Sequence, residues 1–246
     1  MNKKIKQKSL IRVALLTIGI LCLIYVFFWQ IQFNNKPLIP PAEITSLRQS
    51  DFSTKITNPY FTLKPGSKFV YETHLREGLE RIEIEITGET KTIAGIHTLI
   101  YHDKSWINGI IEEDTRDYLA QYKNGDLWYF GEDVDNYKNG VFTNHEGSWM
   151  SGVNGGKPGI WVKAHPKVGE TYAQEYLPGE AEDMVTIQSL HETITIPYGT
   201  FTNCLKTFDW TPLNPADLEH KYYCPQVGIT VLEDDQGEKT QLVSTH

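Results

Sequence analysis

The chain has 246 residues, of which 40% are hydrophobic and 12% aromatic, and a formal net charge of −8. Residues 1–36 hold Lys3, Lys4, Lys6, Lys8, Arg12 and Lys36 and no acid, so they carry +6, and the remaining chain carries −14. A domain that acidic repels phosphate backbones and anionic lipid surfaces, which excludes nucleic acid as its main partner.

Residues 1–12 form a basic segment, expected to be cytoplasmic. Val13–Trp29 (VALLTIGILCLIYVFFW) is uncharged. As a helix rising about 1.5 Å per residue it is about 26 Å long, and Ile31 and Phe33 extend it to the hydrocarbon thickness. Tyr25 and Trp29 sit toward its far end, where aromatic side chains favour the membrane interface. Residues 13–33 are therefore read as a single-pass transmembrane anchor in the inner or plasma membrane. Five of the six cations precede it, which orients the following domain outside the cytoplasm. A cleaved signal peptide is the rival. It wants small residues at its cleavage site, and Phe27-Phe28-Trp29-Gln30-Ile31 offers none. Cys22 follows bulky Ile20-Leu21 and sits inside the apolar run, unlike a lipoprotein cysteine. Residues 34–50, containing Asn34–Pro41 (NNKPLIPP), read as a Pro-rich linker, with a short helix expected over Ala42–Gln49.

Residues 51–246 read as one extracytoplasmic β domain. Arg81–Thr87 alternates Ile82, Ile84 and Ile86 with Glu83 and Glu85, the pattern of a half-buried antiparallel strand. Lys68–His74 and Ile93–Tyr101 flank it. Asn108-Gly109, Asn124-Gly125 and Asn139-Gly140 suit type I′ hairpin turns, which predicts Thr98–Ile107, Ile110–Tyr122, Asp126–Glu132 and a strand after Gly140 in up-and-down order. Further strands are expected at Thr171–Leu177, Met184–Ile196, Phe201–Trp210, His220–Cys224, Gly228–Glu233 and Lys239–Ser244. So many short strands must curl to bury a face and protect their edges. The expected fold is mainly β, one strongly curved antiparallel meander sheet closed to a half-barrel or flattened barrel. The Gly-rich run Gly147–Gly159 (GSWMSGVNGGKPG) interrupts the pattern. It is not a nucleotide loop, since it lacks G-x-x-x-x-G-K-[ST] and no helix follows.

The runs Asn58–Gly66 (NPYFTLKPG), Leu127–Val134 (LWYFGEDV), Gly147–Ile160, His165–Asp183 (HPKVGETYAQEYLPGEAED), Tyr198–Pro212 (YGTFTNCLKTFDWTP) and Glu219–Glu233 (EHKYYCPQVGITVLE) resemble a family of uncharacterised, exported bacterial proteins. That resemblance implies export and no particular activity. More loosely, the YGTF-x-NC run followed by a VG strand is similar to endings of cell-envelope lipoproteins with a LolA-like half-barrel. Those bind lipids or lipoprotein tails inside a curved sheet, a likeness of fold that does not carry function with it.

If strands 201–210 and 218–224 form a hairpin centred on Asn214, Cys204 faces Cys224 as Phe208 faces His220. Directly opposed residues fall within disulfide reach, and an exported location would preserve the bond. Two separate thiols remain the alternative, because register slips easily. Glu175, Glu180, Glu182 and Asp183 crowd a Pro178-Gly179 turn, with His165 just before and His220 in a later strand. Such a set can ligate a hard or borderline cation, or form a solvated turn. No compact metal motif occurs, so no cofactor is assigned and a bound divalent cation stays open. Asp135–Glu146 partly mimics a calcium loop, but Tyr137 is a poor ligand and a hairpin explains the run better. Trp128 and Tyr129, being adjacent on a strand, must face opposite sides of the sheet.

The leading expectation is a non-enzymatic envelope protein that binds a lipid-like or glycan-like ligand in the concavity of the sheet. The candidate ligand-binding residues are Trp149, Trp161, His165, Glu180, Glu182, Asp183 and His220. The alternatives are an anchored hydrolase using carboxylates of Glu175–Asp183 with His165 or His220, and a structural envelope-assembly partner. The Gly-rich segment either frames this site or caps the sheet while its tryptophans fill the core.

Overall fold

The computed structural model of the chain describes residues 46–246. The expected cytoplasmic segment, the membrane anchor and most of the linker, including the first half of the expected helix at 42–49, lie outside the described residues. Among the described residues no helix is long and apolar enough to cross a membrane. The described residues form one compact unit.

A 3-10 turn at Gln49–Asp51 leads into the strands β1 (Phe52–Ser53), β2 (Ile56–Asn58), β3 (Phe61–Leu63), β4 (Lys68–His74), β5 (Leu79–Glu85), β6 (Thr90–Ile93), β7 (Ile96–Ile107), β8 (Ile110–Tyr122), β9 (Leu127–Lys138) and β10 (Val141–Asn144). The second half holds β11 (Trp149–Met150), β12 (Lys157–Val162), β13 (Thr171–Ala173), β14 (Glu175–Tyr176), β15 (Met184–Ile196), β16 (Gly199–Trp210), β17 (Leu218–Cys224), β18 (Ile229–Asp235) and β19 (Glu238–Thr245). The long strands are antiparallel neighbours in two meanders. The first runs β4-β5-β7-β8-β9-β12 and the second β13-β15-β16-β17-β18-β19. Pairing of β19 with β4 joins the meanders on one side. On the other, the segment 171–176 is shared: β13 pairs with β15, and β14 pairs with β12. The result is a nearly closed, barrel-like antiparallel sheet. The β2–β3 hairpin lies outside this sheet as a separate two-stranded ribbon.

The closure depends on a glycine. A Cβ on Gly159 would stand 2.2 Å from the Gln174 carbonyl oxygen, so only glycine lets β12 approach the 171–176 segment. The Gly-rich run is therefore part of the sheet rather than a free loop. Trp149 pairs with Glu132 and Met150 with Gly131, and Gly159 pairs with Tyr129, so the run folds along β9. Gly131 (φ +131°) supplies the matching bulge, since a Cβ there would meet the Trp149 carbonyl at 2.4 Å.

Two of the three Asn-Gly turns have the expected type I′ signature, with positive φ at Asn108-Gly109 and Asn139-Gly140. The third differs. Only Gly125 is left-handed there, and the Asn124 side chain instead accepts a hydrogen bond from the Asp126 amide (2.9 Å), as in an Asx turn. The expected single strand Ile93–Tyr101 is split by a turn with positive φ at Ala94 and Gly95, and Thr171–Leu177 is split at Gln174 where it changes partner. The calcium-like run is a hairpin between β9 and β10. Its Asp135 pairs with His145 (2.9 Å) and Arg116 (3.8 Å).

The main core fills the barrel, with Phe61, Ile86, Leu99, Leu119, Leu127, Ile187, Leu205 and Val231 among its buried residues. A smaller cluster of Phe52, Ile93, Ile96, Tyr118, Ala120 and Phe130 lies on the outer face of β7–β9. Alternation assigns the adjacent aromatics between them: Tyr129 belongs to the main core and Trp128 packs on the outer cluster, its ring 5.7 Å from Phe52.

Cys204 and Cys224 are joined by a disulfide between neighbouring strands, with Cα atoms 4.3 Å apart. The register around it pairs Leu205 with Tyr223 and Asp209 with Glu219. The bond closes a separation of 20 residues. Its loss from the double variant Cys204→Ala/Cys224→Ala is expected to cost about 3 kcal/mol in urea unfolding. Non-reducing peptide mapping of the parent should show the crosslink, and free alkylation of both thiols without reductant would contradict it.

Candidate functional site

In a barrel every second side chain points inward, and here those positions change character along the strands. On β7 the inward series runs Leu99, Tyr101, Asp103, and on β8 it runs Leu119, Asp117, Thr115, paired with the former residue by residue. On β9, Tyr129 gives way to Glu132, which faces Asp117. On β16, Leu205 and Thr207 are followed by Asp209. On β17, Tyr223 is followed by Lys221 and Glu219, and on β18 Glu233 pairs with Lys221. The interior thus has an apolar floor, a belt of tyrosines and an acidic mouth.

A cavity of about 160 Å³ lies where belt meets mouth. Tyr71, Tyr101 and Trp161 form its aromatic walls, and Asp103, Lys221 and Glu233 are its charged groups. Trp161 is held by edge-on packing against Tyr129 (4.7 Å between ring centres) and by tilted contacts with Tyr101 and Phe61. The Tyr71 hydroxyl donates to the Thr230 carbonyl (2.8 Å), and the Thr73 and Thr240 hydroxyls bond each other (2.7 Å), so the rim is fixed.

The electrostatics follow from crowding one sign of charge in a confined space. Burial works against the charge of Lys221, but Glu219, Glu233 and Asp209 outweigh it and raise its pKa well above the ordinary lysine value. The Lys221 Nζ stands 3.2 Å from Glu219 and 3.9 Å from Asp209. The acids around it are nevertheless raised as well, because one ammonium is divided among several carboxylates that are desolvated and repel one another. Burial, opposed by Lys221, pushes Glu233 up to about 7. Burial, opposed by the Tyr129 hydroxyl that donates to it at 2.5 Å, pushes Asp117 up to about 7. Burial and then Asp117 raise Asp103 well above the carboxylate range. Asp209, 9% exposed, rises to about 6, chiefly by burial, and neither of its oxygens has a hydrogen-bond partner. At the seam of the barrel, burial and the neighbouring Asp183 carboxyl lift Glu175 to about 8. The indole N–H of buried Trp149 is directed at Glu175 and favours its charged form, but it lies outside hydrogen-bond geometry.

The structure divides the residues singled out in the sequence. Trp149, Trp161 and Asp183 lie at the barrel interior or its seam. His165 is exposed in the segment after β12. Glu180 is exposed in the Pro178-Gly179 turn, and Glu182 accepts a hydrogen bond from the Gly179 amide (2.8 Å). His220 alternates with Lys221 and so faces outward, its ring 5.4 Å from Phe208. Its pKa is lowered by burial and by Lys206. The histidines therefore do not join the Glu175–Asp183 pair. Among the described residues no three His, Cys, Asp or Glu side chains are grouped as metal ligands. Asp103, Asp117, Asp209, Lys221 and Glu233, the charged heart of the interior, were not singled out. A signal existed: each is a charged residue in the inward phase of an otherwise apolar strand.

No protein-family model and no curated protein matches the chain. Its fold is similar to the crystal structure of a protein of Parabacteroides distasonis ATCC 8503 inferred to be a lipoprotein, with a TM-score of 0.40 and 16% identity. The match covers 76% of this chain and 98% of that one. A likeness that distant carries no argument about activity.

A carboxyl raised on folding is protonated in the folded state over a pH range where the unfolded chain has already lost that proton. Its contribution is complete below about pH 4 and is lost as pH rises through the folded value. With Glu175 raised to about 8 and Glu233 and Asp117 to about 7, stability should fall between about pH 5 and pH 8. In Glu175→Gln this slope should shrink, with a gain over the parent on the order of 2 kcal/mol at pH 8 that vanishes near pH 4. Urea unfolding as a function of pH measures it, and parallel curves for parent and variant would refute the burial of that carboxyl.

Proposed function

We propose that this domain is a non-enzymatic binding module of the bacterial cell envelope that takes a small, glycan-like ligand in the acidic cavity of its barrel. The observation that carries the reading is the composition of that cavity. Trp161, Tyr101 and Tyr71 line it together with the polar groups of Asp103, Lys221, Glu233 and Thr240. Aromatic faces with a few convergent polar groups suit a ring that is apolar on its faces and hydroxylated at its edges. At about 160 Å³ the space fits one small ring and not an acyl chain, which disfavours the lipid-like alternative at this position.

The envelope setting is supported by the basic residues 1–12 preceding the apolar segment 13–33. The Cys204–Cys224 disulfide agrees with it, since such bonds persist in oxidising compartments. The anchored-hydrolase reading is favoured by the raised, neighbouring Glu175–Asp183 pair and weakened by the distance in the fold of His165 and His220 from it. The assembly-partner reading has less support, because the exposed large apolar residues, such as Phe142, Val168, Tyr198 and Leu213, are distributed over different strands and turns.

Native mass spectrometry of the full-length protein, purified from its own membranes in mild detergent, should show a retained or exchangeable ligand of monosaccharide size. The Tyr101→Phe/Trp161→Phe variant keeps an aromatic ring at both positions but loses the Tyr101 hydroxyl and the larger indole face, and should weaken retention several-fold with a modest loss of melting temperature. Release of product from added saccharides would instead favour the hydrolase. No bound species, and no saccharide-dependent change in tryptophan fluorescence, would count against the proposal.

A further inference from the structure

We infer that the ligand of this cavity is cationic: a small ring bearing a primary ammonium, held by the Asp103 and Glu233 carboxylates while Lys221 moves onto Asp209. This rests on the binding reading above and adds the charge of the ligand.

Three observations carry it. First, the cavity's lining holds two carboxylates and a single basic group, Lys221. That ammonium is already engaged by Glu219 at 3.2 Å, so it is not free to anchor an anion. Asp117 and Asp209 stand just behind the lining and add to the same sign of charge, as their influence on Asp103 and Glu233 shows. Secondly, Asp209 is buried with neither oxygen in a hydrogen bond, and its ion pair with the Lys221 Nζ is long, at 3.9 Å. A buried carboxylate so loosely paired is costly, and beside a lysine that has a closer partner it is a ready berth for that lysine. A ligand ammonium entering between Asp103 and Glu233 repels Lys221 and sends it to that berth. Asp103 and Glu233 then share the ligand's ammonium while Lys221 closes on Asp209, and the two positive groups stand apart. Thirdly, the Trp161, Tyr101 and Tyr71 rings line the same space, and aromatic faces attract ammonium groups.

A neutral sugar would gain the ring contacts and leave Asp103 and Glu233 holding their protons, whereas an ammonium replaces those protons with an ion pair. An anion would meet Asp103 and Glu233 directly.

The test is isothermal titration of the full-length protein in nanodiscs with four probes of one shape: glucosamine, glucose, N-acetylglucosamine and glucuronate, each at millimolar concentrations. Glucosamine is expected to bind about tenfold or more tighter than glucose, the margin of a charge-assisted hydrogen bond, with glucuronate weakest. Glu233→Gln and Asp103→Asn should each erase the preference for glucosamine. Their melting temperatures should be unchanged or raised, because each removes a buried acid. Lys221→Met, checked for folding by its melting temperature, removes the cation that competes for these carboxylates and should tighten glucosamine binding, whereas an anion site would lose its anchor. Equal binding of glucose and glucosamine overturns the cation inference and leaves the binding reading standing. Tightest binding of glucuronate, abolished in Lys221→Met, overturns the inference in favour of an anion site. No binding of any probe by a folded parent overturns the inference and the glycan-like reading together.

Discussion

The Lys221 ammonium, set between Glu219 and Asp209 and paired across the ladder with Glu233, is the interaction on which the interior of this barrel depends. Closing the sheet through β19–β4 and the shared 171–176 segment forces every second residue inside. At one end that rule brings carboxylates from both meanders together. Without a cation among them their mutual repulsion and desolvation would oppose closure. With one, the arrangement is tolerated but not balanced, and the remaining excess appears as raised carboxyl pKa values. Replacing such a cluster with apolar residues is commonly neutral or stabilising, so its presence is a cost to the fold that an interior serving packing alone would not carry.

The remainder of the architecture holds that mouth in place. The apolar floor from Leu99 to Val231 and the disulfide anchor the far part of the strands, and the tyrosine belt grades between floor and mouth. The Gly-rich run, glycine at 131 and glycine at 159 let β11 and β12 lie tightly against β9 and the 171–176 segment. Outside, Phe52 and Leu47 cover Trp128 and Phe130, so the chain entering the domain straps the outer face of β7–β9. Polar pairs continue that strap: Lys123 bonds Asp51 at 3.0 Å, and the Gln49 side chain accepts from the His97 amide.

Much of the fold is legible in the sequence because the period-two signal is strong wherever one face is buried. Lys68–His74 and Met184–Ile196 have the expected limits, and most other strands are shifted by only a few residues. The Cys204–Cys224 pairing follows from hairpin arithmetic that the observed register obeys. What is not legible has physical causes. Ala94-Gly95 turns the chain without an Asn or Asp to announce it. The strand Asp126–Glu132 continues to Lys138 because charged residues there are stabilised by partners on β8, invisible one strand at a time. The site is the least legible part. Attention goes to dense polar runs such as Glu175–Asp183, yet most of that run's polarity belongs to a turn. The charged interior is assembled from single residues on strands far apart in sequence, and only the register brings Asp103, Lys221 and Glu233 to one cavity.

The account turns on carboxyls inside the mouth that remain protonated near neutral pH. Carbon-13 NMR of Asp and Glu side-chain carboxyls in the full-length protein, followed through a pH titration and assigned by single substitutions, observes this directly. The predicted midpoints are about 8 for Glu175, about 7 for Asp117 and Glu233, and about 6 for Asp209. Midpoints for all four near the ordinary value of about 4 would show a mouth open to bulk water, and would contradict the account.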